Sequence, residues 1–195
     1  MPATRSSGGS QRSSREAFIE TTGQLLRRQG YAGTGLNEIV ARSGAPKGSL
    51  YFHFPGGKEE LAVAAMQRSG KQLAGAITAM LGAGADLAEA LAGIVDALAA
   101  GLQASDYRDG CPIATVTLEA SGASEPVRIT AVAVFDTWLE ALEERLLQAG
   151  LAPEAATRRA LLVLSAIEGA LILARARRDT GPLSAVREEL VALSS

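Results

Sequence analysis

Apolar residues along this chain recur at three- and four-residue intervals, with no strand-like alternation. Phe18, Thr22, Leu25 and Leu26 follow i, i+4, i+7, i+8, one face of a helix that ends near Gln29-Gly30. Leu36, Ile39 and Val40 mark a short second helix, stopped by Ser43-Gly44. A third starts at Pro46, which suits a first helical turn, and runs to about His53, before the turn Pro55-Gly56-Gly57. Lys58 to about Leu81 reads as one helix, about 36 Å long at the helical rise per residue. After Gly82-Ala83-Gly84, residues Leu87, Leu91, Ile94, Val95 and Leu98 share a face of a helix reaching about Gln103. Cys111-Pro112 opens a short helix to about Ala120, and Ser124 is a good N-cap for 125–149. Segments 153–178 and 183–193 complete an all-α pattern of about nine helices without an internal repeat.

Ala160–Ala174 (ALLVLSAIEGALILA) is apolar nearly all round. It is shorter than the roughly 20 residues of a membrane span, and Glu168 interrupts it, so no membrane association is expected. A helix apolar on every side must be covered on every side. Either it is an internal core element, or its outer side meets a second subunit. The second alternative predicts a homodimer joined through 153–178 and 183–193, with Leu161, Leu164, Glu168, Leu171 and Leu190 at the interface.

Composition narrows the functional classes. In 195 residues there is one Cys and one His, which excludes an internal disulfide framework and a His-rich or multi-Cys metal site. A single Cys fits a reducing cytoplasm, and no charged segment followed by an apolar stretch opens the chain, so a cytoplasmic location is expected. Residues 1–70 hold nine Lys/Arg against five Asp/Glu, whereas 71–195 hold ten against sixteen. A basic N-terminal third on an acidic remainder suggests a polyanion-binding module joined to something else. The expected division is a tail at 1–14, a DNA-binding domain at 15–62 and a sensing and dimerisation domain at 63–195. The tail, Ser/Gly/Arg-rich, reads as disordered or as an arm reaching a DNA groove through Arg5, Arg12 and Arg15.

The informative stretch is 34–61, TGLNEIVARSGAPKGSLYFHFPGGKEEL. Two short helices joined by a tight Gly-containing turn make a helix-turn-helix. Gly48 costs a helix about 1 kcal/mol relative to Ala. It and Ser49 lie in the first turn, where a groove-bound helix must approach closely. Leu50 and Phe54, four apart, form the inward face. Lys47, Tyr51, His53 and Lys58 can all donate to phosphate oxygens. Packing on one face and donors on the other is what a recognition helix requires.

This segment resembles the DNA-binding domain of TetR-family repressors. The resemblance runs through Gly30-Tyr31, Thr34, Ile39, Ser43-Gly44, Lys47-Gly48-Ser49-Leu50-Tyr51, His53-Phe54 and Lys58-Glu59-Glu60-Leu61. The stretches Ala45–Ser49, Phe54–Lys58 and Gly110–Ala114, with Leu118-Glu119, are similar to the LmrA/YxaF-like subgroup. The resemblance implies that Thr34 binds phosphate, that Lys47, Gly48 and Ser49 face the major groove, and that Tyr51, His53 and Lys58 grip phosphates. Pro46 departs from the Ser common at that position and removes a hydroxyl and an N–H. A symmetric dimer on a palindromic double-stranded operator, released by a small-molecule effector, is the implied mode of action.

For the remaining helices, Leu81, Ile113, Thr117, Leu118, Phe135, Trp138 and Leu142 are candidate pocket residues. Phe135, Trp138 and Leu142 share a face by spacing, which is either cavity wall or plain core. Few charges point there, so an apolar or aromatic effector is expected. Cys111 reads as a small buried residue before Pro112 rather than as a nucleophile. No triad, metal-ligand or acid-pair spacing appears, so neither catalysis nor a cofactor is expected. Two other classes remain: an enzyme using the helical cavity, and a ligand-binding or architectural protein with a degenerate helix-turn-helix.

Overall fold

The computed structural model describes residues 13–82 and 86–193. Most of the expected N-terminal tail lies outside them. Among the described residues the chain forms nine α-helices and no strand: α1 Ser14–Gly33, α2 Leu36–Ser43, α3 Lys47–His53, α4 Gly57–Gly82, α5 Leu87–Ala104, α6 Pro112–Ala120, α7 Glu125–Gln148, α8 Pro153–Arg177 and α9 Gly181–Ala192.

Local chemistry explains the punctuation. A capping box opens α1: the Glu16 N–H donates to Ser13 Oγ at 3.2 Å and the Ser13 N–H to Glu16 Oε2 at 3.4 Å. Phe18, Thr22, Leu25 and Leu26 are its buried stripe. Gly30, at φ +74°, kinks the helix in a conformation that strongly favours glycine. Gly44, at φ +68°, closes α2 in the left-handed region. Asp86 and Ser124 cap α5 and α7 by accepting from the Glu89 and Val127 N–H groups.

The head, α1–α3, is pinned by Ile39, Leu50 and Phe54, all about fully buried; Phe18 meets the Phe54 ring edge-on at a centroid distance of 6.5 Å. The 26-residue α4 leaves the head and runs into the body, where it packs on α7. That approach is close: a Cβ on Gly70 would come within 2.6 Å of the Val134 methyls. α5 has the length and composition of a membrane helix, with 18 residues of mean hydropathy 1.4. It packs instead on α4 and α9, and its Asp96 carboxylate receives Arg187 Nε at 2.9 and 3.0 Å.

Candidate DNA interface and effector cavity

The two faces of the third helix differ as the apolar spacing requires. Leu50 and Phe54 are 1% exposed. On the opposite side Lys47 and Gly48 are exposed, Tyr51 is 59% exposed and Ser49 and His53 are half-buried. Ser49 Oγ donates to the Pro46 carbonyl at 2.7 Å, which commits its proton and leaves its acceptor side for a ligand. Lys58, at the start of α4, stands with Nζ 4.3 Å from the centroid of the Tyr31 ring, an attraction that holds the ammonium beside the head. Sequence reasoning passed over Phe52, which is 82% exposed beside Tyr51 and meets the His53 ring edge-on at 5.1 Å. The signal was available: Leu50 and Phe54 turned inward leave 51 and 52 turned out.

Thr34 is placed differently from its implied role. It is 1% exposed, and its hydroxyl donates to the Gly30 carbonyl at 2.6 Å. Its job is to close the kinked end of α1, and a phosphate has no access to that oxygen.

Gly48 has no internal reason to be glycine. A Cβ there meets nothing within 4 Å, and its φ lies outside the left-handed region. The glycine leaves open space on the exposed side of α3, where a groove would lie. Gly48→Ala should therefore raise the melting temperature slightly, by up to about 1 kcal/mol of helix propensity, while weakening DNA binding. Calorimetric melting and a DNA titration on the one variant check both halves.

A cavity of about 370 Å³ opens in the body between α4, α5, α7 and α8, with the start of α6 at one end. Ile77, Ile94, Ile113, Trp138 and Leu142 form much of its apolar wall. Four expected pocket residues lie elsewhere. Leu81 is buried below α7, its carbonyl accepting from Arg145 Nε at 3.2 Å. Thr117 turns its hydroxyl back to the Ile113 carbonyl at 2.7 Å, and Leu118 is 80% exposed. Phe135 stands behind the wall, edge-on to Trp138 at 5.6 Å. Conversely, Leu164, Glu168 and Leu171, expected at a subunit interface, line the cavity. Leu190 is 3% exposed within its own chain, and of the five interface candidates Leu161 alone stands out, at 50%. The reason is rotational: the inner side of α8 takes these residues, while Leu161, Leu162, Ile172 and Leu173 turn away.

The wall also carries polar groups that spacing did not reveal: Arg27, Gln72, Asp109, Cys111 and Glu168. The Cys111 thiol faces the Glu168 carboxyl, and burial, then that carboxylate, pushes its pKa up. A thiol so placed stays protonated and is a poor nucleophile. Burial likewise raises the Glu168 carboxyl above the ordinary carboxylate range, against a lowering hydrogen bond from Cys111.

Three hydrogen bonds tie the body to the far end of α1, next to the cavity. The Gly110 N–H donates to the Arg27 carbonyl at 3.1 Å, Arg175 Nη2 to the Arg28 carbonyl at 3.0 Å, and the Ala32 N–H to Glu119 Oε2 at 2.7 Å. The Glu119 carboxylate occupies the place a Cβ on Gly30 would take. Arg27 and Gly110 belong at once to this junction and to the cavity wall.

A donor-lined recognition helix on an all-helical body defines a helix-turn-helix transcriptional regulator. Residues 18–65 match the family model for bacterial regulatory proteins of the tetR family, and residues 88–189 match that for the LmrA/YxaF-like transcriptional regulator C-terminal domain. The chain is 37% identical over 181 residues to an HTH-type transcriptional regulator of Mycobacterium tuberculosis, covering 90% of this chain and 91% of that one. It is 35% identical over 170 residues to the HTH-type transcriptional regulator LmrA of Bacillus subtilis, covering 87% and 90%. A TetR transcriptional regulator from Legionella pneumophila has the same fold, with a TM-score of 0.84 at 21% identity over 96% of this chain and 100% of that one. The chain belongs to the TetR family, in its LmrA/YxaF-like branch. It is a DNA-binding transcriptional regulator and not an enzyme.

Proposed function

We propose that this protein is a cytoplasmic repressor that binds a palindromic operator as a homodimer and is released when a small, largely apolar or aromatic effector fills the cavity. The observation that carries the reading is the shared wall. Arg27 and Gly110 line the cavity and also join the body to α1. An effector that fits best with this junction displaced must lower DNA affinity by its differential binding, typically about 1–3 kcal/mol. α4 offers a second route, since it bears Lys58 at one end and cavity residues such as Gln72 and Ile77 further along.

In this reading Lys47, Tyr51, His53 and Lys58 anchor phosphates, Gly48 and Ser49 lie against base edges, and two heads span half-sites about 34–36 Å apart or a multiple of that. Lys47→Ala and Lys58→Ala should each weaken specific and non-specific DNA binding alike. Each should also flatten the slope of log affinity against log salt by about one unit. Fluorescence anisotropy of a duplex from the region upstream of the chain's own gene, across a salt series, checks this. Unchanged affinity and slope in both variants would place the DNA interface elsewhere.

A further inference from the structure

Glu168 is the residue on the cavity wall that packing does not explain. It lies in α8 between Leu164 and Leu171, in a run otherwise made of Ala, Leu, Val, Ile, Ser and Gly. A leucine there would extend the apolar wall. The carboxyl takes a hydrogen bond from the Cys111 thiol, whose sulfur accepts the Ala114 N–H at 3.4 Å. Its Oε2 is almost wholly buried and has no hydrogen-bond partner among the described residues, while the residue itself lines the cavity. Burial raises the pKa of this carboxyl, and the thiol beside it lowers it. Arg27, the arginine on the wall, shares the cavity with Asp109. The cavity wall therefore carries a carboxyl, set among apolar side chains, with one oxygen that has no donor among the described residues. Leaving such a group unpaired is costly, and a ligand that supplies both a donor and a positive charge removes the cost.

We infer that the effector is an apolar or aromatic amine whose protonated nitrogen pairs with the Glu168 carboxyl while its body lies along Trp138, Ile113 and Leu142. This rests on the cavity being the effector site. A neutral donor would pair the carboxyl without meeting its charge. A carboxylate would face Glu168 with like charge. A charge-assisted N–H···O bond is about twice as strong as a neutral one, so the cavity ranks an ammonium above a hydroxyl, and a hydroxyl above an acid.

Three probes with one aromatic body test this on the full chain: naphthylmethylamine, naphthylmethanol and naphthoic acid, each titrated by calorimetry. The amine should bind about tenfold or more tightly than the alcohol, and the acid more weakly than either. Glu168→Gln, which keeps the volume but not the charge, should abolish the preference for the amine and leave alcohol binding within about threefold. Glu168→Leu should abolish the preference for the amine as well, and, with no acceptor left, should also weaken the alcohol. Equal affinity of amine and alcohol for the native chain overturns the inference while the cavity stands. So does an amine preference that survives Glu168→Gln. The native ranking decides the matter even where a variant misfolds. No binding of any probe to the native chain removes the cavity reading, and the inference with it.

Discussion

Chains carrying Leu162→Glu together with Leu173→Glu are expected to fold, to sediment as monomers, and to bind operator DNA on the order of 10²–10⁴ times more weakly than the native chain. The expectation comes from the outer face of α8. Leu161 and Ile172 lie on one flank, Leu162 and Leu173 on the other, each 50–54% exposed. Ser165 and Gly169, four apart between them, are small enough for a second helix to come near, and a Cβ on Gly169 would meet nothing. The inner row, with Ala160, Val163, Ala170 and Ala174 almost fully buried, already satisfies the chain's own core. Four half-exposed apolar side chains on one helix are a surface that a partner copy would cover. Glutamates at 162 and 173 put like charges across that contact without entering the cavity. The loss in DNA binding follows because the second head then no longer binds as part of the same molecule. Sedimentation and a DNA titration check it, and an unchanged dimer mass would place the interface on another face.

Trp138→Ala should lower stability by about 3–5 kcal/mol, which for a chain of this size lowers the melting temperature by roughly 6–20 °C. The indole is 1% exposed. Its Nε1 donates to the Gly70 carbonyl at 3.1 Å, where Gly70 of α4 lies close against Val134 of α7, and Phe135 meets it edge-on. The ring thus serves two purposes at once: it locks two helices together, and it forms part of the cavity wall. Trp138→Phe should lose less stability and retain an aromatic wall. Differential scanning calorimetry of the two variants checks the order, and a Trp138→Ala melting point within a few degrees of native would contradict the packing described.

Helix positions were legible in the chain because small polar, Gly and Pro residues punctuate it. α2 and α6 begin and end where Leu36–Ser43 and Pro112–Ala120 predict. The inward turn of Leu50 and Phe54 was legible for the same reason, a four-residue spacing in a short helix. The cavity was legible only in part. Spacing says that Phe135, Trp138 and Leu142 share a face, but not which neighbour that face meets, so Trp138 and Leu142 reach the cavity while Phe135 stops behind it. α8 was harder, since a helix apolar all round carries no sign of which side turns inward. Leu164, Glu168 and Leu171 therefore exchanged the expected interface for the cavity. The junction bonds of Gly110 to Arg27 and of Glu119 to Ala32 join residues more than eighty positions apart, and no periodicity announces them. Thr34 looked like a phosphate ligand by resemblance, yet the positive φ at Gly30 leaves a carbonyl that its hydroxyl satisfies.

The central claim is that occupation of the cavity and occupation of DNA oppose one another in a single dimer. Trp138, the sole tryptophan, reports the first directly, and a labelled duplex from the upstream region reports the second. Both signals should be recorded in one titration of the preformed protein–DNA complex with compounds that shift Trp138 emission. The account predicts that anisotropy falls to the free-duplex value over the concentrations at which emission saturates, with an affinity loss of about 5–150-fold. A compound that saturates the Trp138 signal while the duplex stays bound with unchanged affinity would contradict it.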